Sequence, residues 1–319
     1  MRKIVLLDRK TLADSVDVSG FRAFGDLEIH ELTPKEAIAD TVADAEIVIL
    51  NKAVLTSEDL KKAGKLKLIC LLATGYNNVD THYCGEHGIA VCNVPDYSTK
   101  SVAQHTFGLA LSLIEHTAFY DQYVKSGTYT ASGVPTYHGR PYFELDGKTW
   151  GIIGLGHIGR EVAGLAQAFG CRVIYYSTTG KNQTDDYPSC TLEELLRRSD
   201  IVSVHCALNP KTDHLIGARQ LRQMKRSAIL INMARGRIAV EQEVAAALKE
   251  GVIRGFCTDV FEAEPPAADS PLLDPAIADR LMFSPHIAWG SVEAQTRLIH
   301  KVCENIESFD AGERLNRVV

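Results

Sequence analysis

The chain has 319 residues, of which 45% are hydrophobic and 23% are charged, and this length suffices for two domains with separate cores. The formal net charge of −6 gives no basic footprint for binding nucleic acid. No apolar run approaches the roughly 18 residues of a membrane span, so neither a nucleic-acid partner nor a membrane partner is expected.

The first hundred residues alternate between strand and helix patterns. The N-terminal apolar run before Asp8 is too short for a signal peptide and predicts a first strand. Five strands are predicted, at Ile4–Leu7, Leu27–Leu32, Ile47–Leu50, Leu68–Leu72 and Ala90–Asn93. Helical stretches are predicted between them, at Pro34–Thr41 with Pro34 as the first helical residue, at Leu60–Ala63 entered at Thr56 or Ser57, and at Val79–His87. This rhythm predicts a doubly wound parallel sheet covered on both faces.

The eight cysteines form no Cys-x-x-Cys pair. Cys70, Cys171 and Cys257 fall in or beside apolar strand patterns, which is typical of reduced, buried thiols in a cytoplasmic protein. One group could suggest a metal site, namely His82, Cys84, His87 and Cys92. Its spacing fits no zinc pattern, and the stretch is interpreted as a helix leading into a strand, so no metal is predicted.

Apolar residues at helical spacing from Ser101 to Phe119 predict a long helix that begins at Ser98 or Thr99. The next segment, Tyr120–Asp146, is rich in glycine and aromatic residues and has no clear period. Long irregular segments of this kind are usually functional or form contacts between subunits. A dimer arm and a plain surface loop both remain open for it.

A glycine-rich motif follows, GLGHIG at 154–159. It lies between a predicted strand at Trp150–Ile153 and a helical pattern that ends at Gly170, and a second strand is predicted at Arg172–Tyr176. Strand, G-x-G-x-x-G, helix and strand within about thirty residues form a dinucleotide-binding fingerprint. A glycine-rich turn without a ligand, or a site for a methyl-donor nucleotide, are the alternatives.

Each glycine of the motif has a separate physical reason. Gly154 permits the tight turn, Gly156 lets the backbone approach a pyrophosphate, and Gly159 lets the helix pack close to the strand. The helix N-terminus, which includes His157 and Ile158, offers N–H groups and a positive dipole end to the phosphates.

The remaining pattern completes a second α/β unit. Strands are predicted at Ile201–Val204, Ile229–Asn232, Gly255–Thr258 and Leu281–Phe283, and helices after a capping box at Thr191, at Glu241–Glu250 and from Ser291 up to a polar tail at Asn316–Val319. We expect a cofactor domain at 100–286 inserted into a domain formed by 1–99 and 287–319.

Four polar residues follow predicted strands of the second unit, namely Arg235, Asp259, Glu264 and His286. The carboxyl ends of parallel strands face the ligand crevice. Arg235 could clamp a carboxylate bidentately, His286 could transfer a proton, and Glu264 could fix the tautomer of His286. Taken singly, three of them have plainer interpretations: Arg235 as a surface ion-pair partner, Glu264 as a residue that ends a loop, and His286 as a partly buried histidine. Together, beside the fingerprint, they favour hydride transfer next to a carboxylate.

The chain resembles the D-isomer-specific 2-hydroxyacid dehydrogenase family over essentially its whole length. The resemblance rests on LLATGYNNVD at 71–80, GLGHIG at 154–159, NMARG at 232–236, DVFEAEPP at 259–266 and SPHIAW at 284–289. It implies a Rossmann cofactor domain inserted into a flavodoxin-like substrate domain, and catalysis by Arg235, Glu264 and His286. NKAVLT at 51–56, ATGYNNVD and HIAW look most like glycerate dehydrogenases, also called hydroxypyruvate reductases.

The resemblance also implies contacts with ligands. Asp259 would meet the nicotinamide carboxamide, and Cys206, Met233 and Ala234 would lie along the cofactor. Thr74, Gly75 and Tyr76 would line the substrate pocket through their backbone, with the Trp289 side chain helping to decide the substrate. Members of the family are commonly homodimers joined through the cofactor domain, with a cleft that closes on the substrate.

One position departs from the NAD-preferring pattern, in which an acidic residue ends the second strand and binds the ribose hydroxyls. That position is Ser177. Ser177, Thr178 and Lys181 could hold a 2′-phosphate, although Lys181 could equally be a solvated loop charge, and the sequence shows no arginine nearby. We expect NADP(H) in preference to NAD(H), with the use of both left open.

These observations predict an NAD(P)-dependent oxidoreductase acting on a small D-2-hydroxy acid or 2-keto acid, such as glycerate with hydroxypyruvate, or glyoxylate. From another class, a dinucleotide-sensing binding protein could use the same scaffold. Formate dehydrogenase is a closer alternative, but that relative has a glutamine where this chain has Glu264.

Overall fold

A computed structural model describes residues 2–319 and divides the chain into two compact units. The first unit comprises the residues up to Ser98 together with Trp289–Val319, and the second comprises Thr99–Ala288. The second unit is therefore one continuous insertion in the sequence of the first.

The residues before Ser98 supply a complete parallel sheet. Its strands are β1 Lys3–Leu6, β2 Asp26–Ile29, β3 Ile47–Leu50, β4 Leu68–Leu71 and β5 Ala90–Cys92. The helices between them are α1 Ile38–Thr41, α2 Ser57–Leu60 and α3 Thr81–Glu86, with 3₁₀ turns at Arg9–Thr11, Ser19–Phe24 and Lys35–Ala37.

The second unit contributes a longer sheet. Its strands are β6 Thr149–Ile153, β7 Arg172–Tyr176, β8 Ile201–Val204, β9 Ile229–Asn232, β10 Gly255–Thr258 and β11 Leu281–Phe283. Its helices are α4 Thr99–Glu115, α5 Thr117–Lys125, α6 Thr128–Ser132, α7 His157–Ala168, α8 Leu192–Arg198, α9 Ala218–Leu221 and α10 Glu241–Lys249. Three 3₁₀ turns lie at Gly236–Ile238, Pro271–Leu273 and Pro275–Arg280, and the last helix of the chain, α11 Val292–Asp310, belongs to the first unit.

The sheet of the first unit has the order β2-β1-β3-β4-β5, and all its pairs are parallel. This is the flavodoxin-like order. Successive residues of β1 enter two different cores: Ile4 packs with α11 residues such as Leu298, whereas Val5 packs with Ile38 of α1. Both faces of the sheet are therefore covered, as the continuous apolar strands predict.

The sheet of the second unit has the order β11-β10-β9-β8-β6-β7, again with parallel pairs throughout. In the common six-stranded Rossmann order another strand lies outside the second one. Here a single parallel bridge between Tyr175 and Ser189 stands in that place. The prediction of two doubly wound parallel-sheet units, a Rossmann unit inserted into a flavodoxin-like one, is confirmed.

Several local predictions need correction. Pro34 is not the first residue of a helix, because its ψ of 145° is extended, and only a 3₁₀ turn and the short helix α1 follow it. Strand β2 ends at Ile29 instead of Leu32, whose side chain is exposed and has no core to enter. The polar tail at Asn316–Val319 is bonded to β5: Val318 N–H donates to the carbonyl oxygen of Val91, 2.7 Å away.

The segment after α4 is more ordered than predicted. The long helix begins at Thr99 but ends at Glu115, because His116 adopts a left-handed conformation with φ of 55°. Helices α5 and α6 then cover residues 120–125 and 128–132 of the stretch that was expected to be irregular, and residues 133–146 contain no helix or strand. Neither helix buries a residue, so no apolar stripe was there to reveal their period.

In the described part of the chain, residues 2–319, no helix has the length and apolar character needed to cross a membrane.

Candidate active site

All six strands of the second unit end in register. The last residues Tyr176, Ile153, Val204, Asn232, Thr258 and Phe283 are successive partners across the sheet. The next residue of each strand therefore falls in a single row along the carboxyl edge, and this row consists of Ser177, Gly154, His205, Met233, Asp259 and Ser284. Because that edge faces the ligand crevice in open α/β sheets, the row defines the candidate site.

Close contacts with neighbouring backbone explain two of the three glycines in the motif. Gly154 has φ of 95°, and a Cβ there would lie 2.7 Å from the Cys206 backbone nitrogen. A Cβ at Gly159 would lie 2.3 Å from the Gly154 carbonyl oxygen, so Gly159 allows α7 to start against the turn. A Cβ at Gly156 would meet no described atom within 4 Å. The protein's own packing therefore does not require glycine at 156. A close approach of this backbone to a bound pyrophosphate would require it.

The start of α7 fits a dinucleotide phosphate. Helix α7 begins at His157 directly after its N-cap residue Gly156, which has no side chain to cap the helix. The first N–H groups of α7 and the helix dipole favour an anion at this end. At the other end, Gly170 has φ of 80°, and its N–H donates to Gln167 while that of Cys171 donates to Ala166. This is a Schellman C-cap, so the predicted helix-ending glycine is confirmed.

Arg235 lies three residues beyond β9. The Asn232 side chain donates to the Arg235 carbonyl oxygen at 2.9 Å and accepts from Ala234 N–H at 3.2 Å. The guanidinium Nη1 of Arg235 donates to the Ala234 carbonyl oxygen at 2.8 Å. A Cβ at Gly236 would lie 1.9 Å from the Phe261 carbonyl carbon. The Arg235 loop therefore rests directly on the backbone of the loop that carries Glu264.

The Glu264 loop is fixed by paired carboxylates. Glu241 at the start of α10 accepts from Glu262 N–H at 2.7 Å, and Glu262 accepts from Glu241 N–H at 2.9 Å. Burial is the largest cause of a raised pKa for Glu241, and the Glu262 charge adds to it. Within the loop, Glu264 Oε1 accepts from Phe261 N–H at 3.2 Å, which orients its other oxygen.

His286 and Glu264 are brought together. The Nδ1 atom of His286 lies 2.6 Å from Glu264 Oε2, with side-chain exposures of 21% and 35%. A carboxylate only accepts hydrogen bonds, so the contact places a proton on Nδ1. His286 has φ of 55°, a conformation uncommon for a residue with a side chain. Its N–H donates to the Asp259 carbonyl oxygen at 2.8 Å.

The Asp259 side chain is buried and supports the same turn. Its Oδ1 accepts from Ser284 Oγ at 2.5 Å and from Ile287 N–H at 2.8 Å, and its Oδ2 accepts from Ala288 N–H at 2.9 Å. The predicted contact with a carboxamide stays a prediction, and the observed role of the carboxylate is to anchor residues 284–288.

Ser177 lies at the predicted place after β7, where its Oγ accepts from Gly180 N–H at 3.0 Å. Lys181 is exposed. Further along the same loop, the carbonyl oxygen of Gln183 accepts from Nη2 of Arg160 in α7 at 3.1 Å, a contact that the sequence did not predict. Arg160 and Gln183 are 23 residues apart in the sequence, so the sequence alone does not reveal that they are in contact.

His205 and Met233, two further residues of the row, and their neighbours Cys206 and Ala234 have uncharged side chains. Cys206 is buried, and burial raises the pKa of its thiol to about 11; Met233 and Ala234 are also buried. Both ring nitrogens of His205 are buried without a hydrogen-bond partner among residues 2–319, although the residue as a whole is partly exposed. Burial lowers the pKa of His205 to about 3, so the imidazole is neutral.

The remaining predicted residues belong to the first unit. Thr74, Gly75 and Tyr76 follow β4, and the hydroxyl of Thr74 donates to the Val94 carbonyl oxygen at 2.9 Å. Tyr76 is 43% exposed. Trp289 packs edge-on against Tyr97, with ring centroids 6.3 Å apart.

Sequence reasoning missed three residues at the candidate site, namely His105, Ser284 and Arg160. Ser284 stood in the quoted SPHIAW stretch, and its position directly after a predicted strand was the available signal. His105 and Arg160 lie on helices, and their contacts with the site are long-range in sequence.

No group of three or more His, Cys, Asp or Glu side chains is arranged to hold a metal ion within residues 2–319. The four residues weighed as metal ligands lie in α3, at its end and in β5. Burial raises the pKa of the Cys84 and Cys92 thiols to about 11.

Comparison with known proteins identifies the family. Residues 107–288 match the family model of the D-isomer specific 2-hydroxyacid dehydrogenase, NAD binding domain. The chain is 35% identical over 323 residues to a hydroxypyruvate reductase of Blautia hydrogenotrophica, covering 99% of both chains. It is 36% identical over 318 residues to a glycerate dehydrogenase of Methylorubrum extorquens, again covering 99% of both.

The fold is shared with solved structures. An acyclic imino acid reductase in complex with NADPH and D-arginine is 28% identical, has a TM-score of 0.88, and is matched over 99% of this chain and 100% of its own. The chain therefore belongs to the D-isomer-specific 2-hydroxyacid dehydrogenase family and is an enzyme that uses a nicotinamide dinucleotide.

Proposed function

We propose that this enzyme reduces hydroxypyruvate to D-glycerate, and glyoxylate less efficiently, with His286, Glu264 and Arg235 at its active site. The observation that carries the proposal is the 2.6 Å contact between His286 and Glu264 on loops that leave adjacent strands. The identities of 35% and 36% to a hydroxypyruvate reductase and a glycerate dehydrogenase support the substrate class.

His286 is the acid–base group. Because Nδ1–H donates a hydrogen bond to Glu264, the Nε2 atom of the imidazolium is the one that gives a proton to the substrate carbonyl oxygen. When bound, the nicotinamide dinucleotide would supply the hydride for the carbonyl carbon in this direction and would take one up in the reverse direction. Glu264 stabilises the imidazolium and keeps the ring in one orientation.

Arg235 binds the substrate carboxylate. A guanidinium can donate two parallel hydrogen bonds to a carboxylate. Such a contact holds the 2-keto acid in one orientation and places positive charge near the carbonyl oxygen, where negative charge develops. The close approach of Gly236 to the Phe261 backbone keeps the Arg235 and Glu264 loops at a constant separation. Residues that act together on one substrate need a fixed separation of this kind.

The glycine motif and the start of α7 would hold the cofactor, and Cys206, Met233, Ala234 and Asp259 would contact it, Asp259 through the carboxamide. We assign a preference for NADP(H), because Ser177 carries no negative charge to repel a 2′-phosphate. Lys181 and Arg160 supply two cations beside the loop of Ser177. The imino acid reductase with the same fold was solved with NADPH.

The two units have separate tasks. The second unit, Thr99–Ala288, is the cofactor domain, and the first unit is the substrate domain. Within the first unit, the backbone of Thr74, Gly75 and Tyr76 binds the substrate, and Trp289 limits its size. The free thiols of all eight cysteines fit a reducing, cytoplasmic environment.

We also propose a homodimer joined through the cofactor domain. Nearly all side chains from 121 to 144 are exposed, yet the segment is held in one shape by its own contacts. Tyr123 stacks on Tyr137 with centroids 4.2 Å apart, and Arg140 lies 3.9 Å above the Phe119 ring. An ordered surface with two exposed aromatic side chains, Tyr137 and Tyr142, fits a protein interface.

The substrate assignment is tested by comparing kcat/KM for hydroxypyruvate, glyoxylate and pyruvate with NADPH and with NADH. The proposal expects the highest kcat/KM with hydroxypyruvate. Higher values for pyruvate than for hydroxypyruvate would contradict the substrate, and absence of turnover with tight cofactor binding would favour a sensor.

A further inference from the structure

Helix α4 contacts both ends of the turn that carries His286. Ser101 Oγ donates to the Ala288 carbonyl oxygen at 2.6 Å, and His105 Nε2 lies 2.7 Å from Ser284 Oγ. Ser101 and His105 are four residues apart, so they share one face of α4. All of these residues belong to the second unit.

His105 is linked through Ser284 to a buried carboxylate. Asp259 can only accept hydrogen bonds, so the Ser284 hydroxyl donates to its Oδ1 at 2.5 Å. The same hydroxyl oxygen then accepts from the Nε2–H of His105. His105 Nε2 lies 3.8 Å from Asp259 Oδ1, and the two side chains are 26% and 3% exposed.

The carboxylate in turn holds the backbone that directly follows His286. It accepts the N–H groups of Ile287 and Ala288, and the Asp259 carbonyl oxygen accepts that of His286. His286 needs such anchors because its φ of 55° persists only where surrounding contacts fix it. A carboxylate that shifts or loses a donor would release this turn.

We propose that His105 is a positioning residue for the reaction: through Ser284 and Asp259 it fixes the turn at 284–288 and with it the imidazole of His286. The inference rests on the proposed acid–base role of His286. His105 itself touches neither substrate nor cofactor in this scheme. By donating to the Ser284 oxygen, His105 directs the Ser284 hydroxyl toward Asp259 Oδ1. Asp259 Oδ2 is then available to accept from the N–H of Ala288.

The test uses the whole chain and five variants, four with a single substitution and the double variant H105A/S284A. H105A and S284A remove the two ends of the contact, and H105Q restores an amide N–H near the place of Nε2. Q104A, an exposed neighbour on the same helix, is the control. The readouts are kcat, KM, the dissociation constant of NADPH, the thermal midpoint, and the primary isotope effect with cofactor deuterated at the transferred position.

H105A is expected to lower kcat by about 10- to 100-fold, the scale of a small misplacement of a reacting group, with an NADPH dissociation constant close to wild type. The isotope effect on kcat should rise, because the chemical step becomes slower than product release. H105Q should recover most of the rate. The double variant H105A/S284A should be no slower than the slower single variant, since both act through one contact.

Wild-type kcat and isotope effect in H105A would overturn the inference. So would a loss of rate in H105A that H105Q fails to restore, or additive losses in the double variant. An inactive wild-type enzyme on every 2-keto acid would overturn the proposed function and the inference with it. An active wild type with an unaffected H105A would overturn the inference alone.

Discussion

Glu264 holds His286 through a hydrogen bond of 2.6 Å to Nδ1, while the backbone of His286 is held by Asp259 from the neighbouring strand end. The imidazole, on the loop after β11, is thus fixed by two contacts with the loop that leaves the adjacent strand β10. A group that must exchange a proton with substrate needs this kind of fixed orientation.

Replacing Glu264 by Gln keeps the shape of the side chain but removes its charge. We expect E264Q to lower kcat by about 10- to 100-fold, the usual effect of losing an orienting partner, with a smaller change in KM for hydroxypyruvate. Steady-state kinetics measure both. The matched control is E250Q, an exposed glutamate at the end of α10, which should leave kcat close to wild type; equal losses in the two variants would contradict the role of Glu264.

Replacing Arg235 by Lys keeps the positive charge and loses the paired donors. We expect kcat/KM for hydroxypyruvate to fall by about 10- to 100-fold, the value of one charge-assisted hydrogen bond. R237K is the control, because Arg237 pairs with Asp213 at the exposed surface. If R235K kept wild-type turnover and substrate affinity, the bidentate clamp would be wrong.

Ser177 decides between the two cofactors. An aspartate there would repel a 2′-phosphate and accept from the ribose hydroxyls of NADH. We expect S177D to lower kcat/KM for NADPH by about 10- to 100-fold and to raise it for NADH. T179D, two residues along the same loop, controls for added charge. An unchanged ratio of the two kcat/KM values in S177D would show that the 2′-phosphate lies elsewhere.

His205 makes stability depend on pH. Its pKa is about 6.5 in an unfolded chain and about 3 in the fold because of burial. Between these values the unfolded state binds a proton that the folded state does not. The free energy of unfolding therefore falls as pH decreases below about 6.5, by about 1.4 kcal/mol per pH unit, and this loss stops at the folded pKa.

H205L removes this titration. Denaturant unfolding at about pH 7.5 and about pH 5.5 should show that the wild type loses about 1.4 kcal/mol more than H205L between the two conditions. Equal losses would mean that the imidazole nitrogens reach water in the folded state.

The strands and their ends could be predicted from the sequence, because buried parallel strands are continuous apolar runs and the residue after each run lies at the sheet edge. This placed Ser177, Asp259 and His286 correctly along the chain. The sequence could not reveal His105, because it reaches Ser284 across 179 residues. It also could not reveal α5, which has no buried side, or the left-handed His116 that ends α4.

The most direct test of the proposed function is the absorbance loss of NADPH, and separately of NADH, when the purified wild-type protein meets hydroxypyruvate, with H286N measured in parallel. The account predicts turnover in the wild type, D-glycerate as the product, and a rate lower by about 10²- to 10⁴-fold in H286N. Turnover of hydroxypyruvate that is unchanged in H286N, or no turnover in a wild-type protein that binds the cofactor, would contradict it.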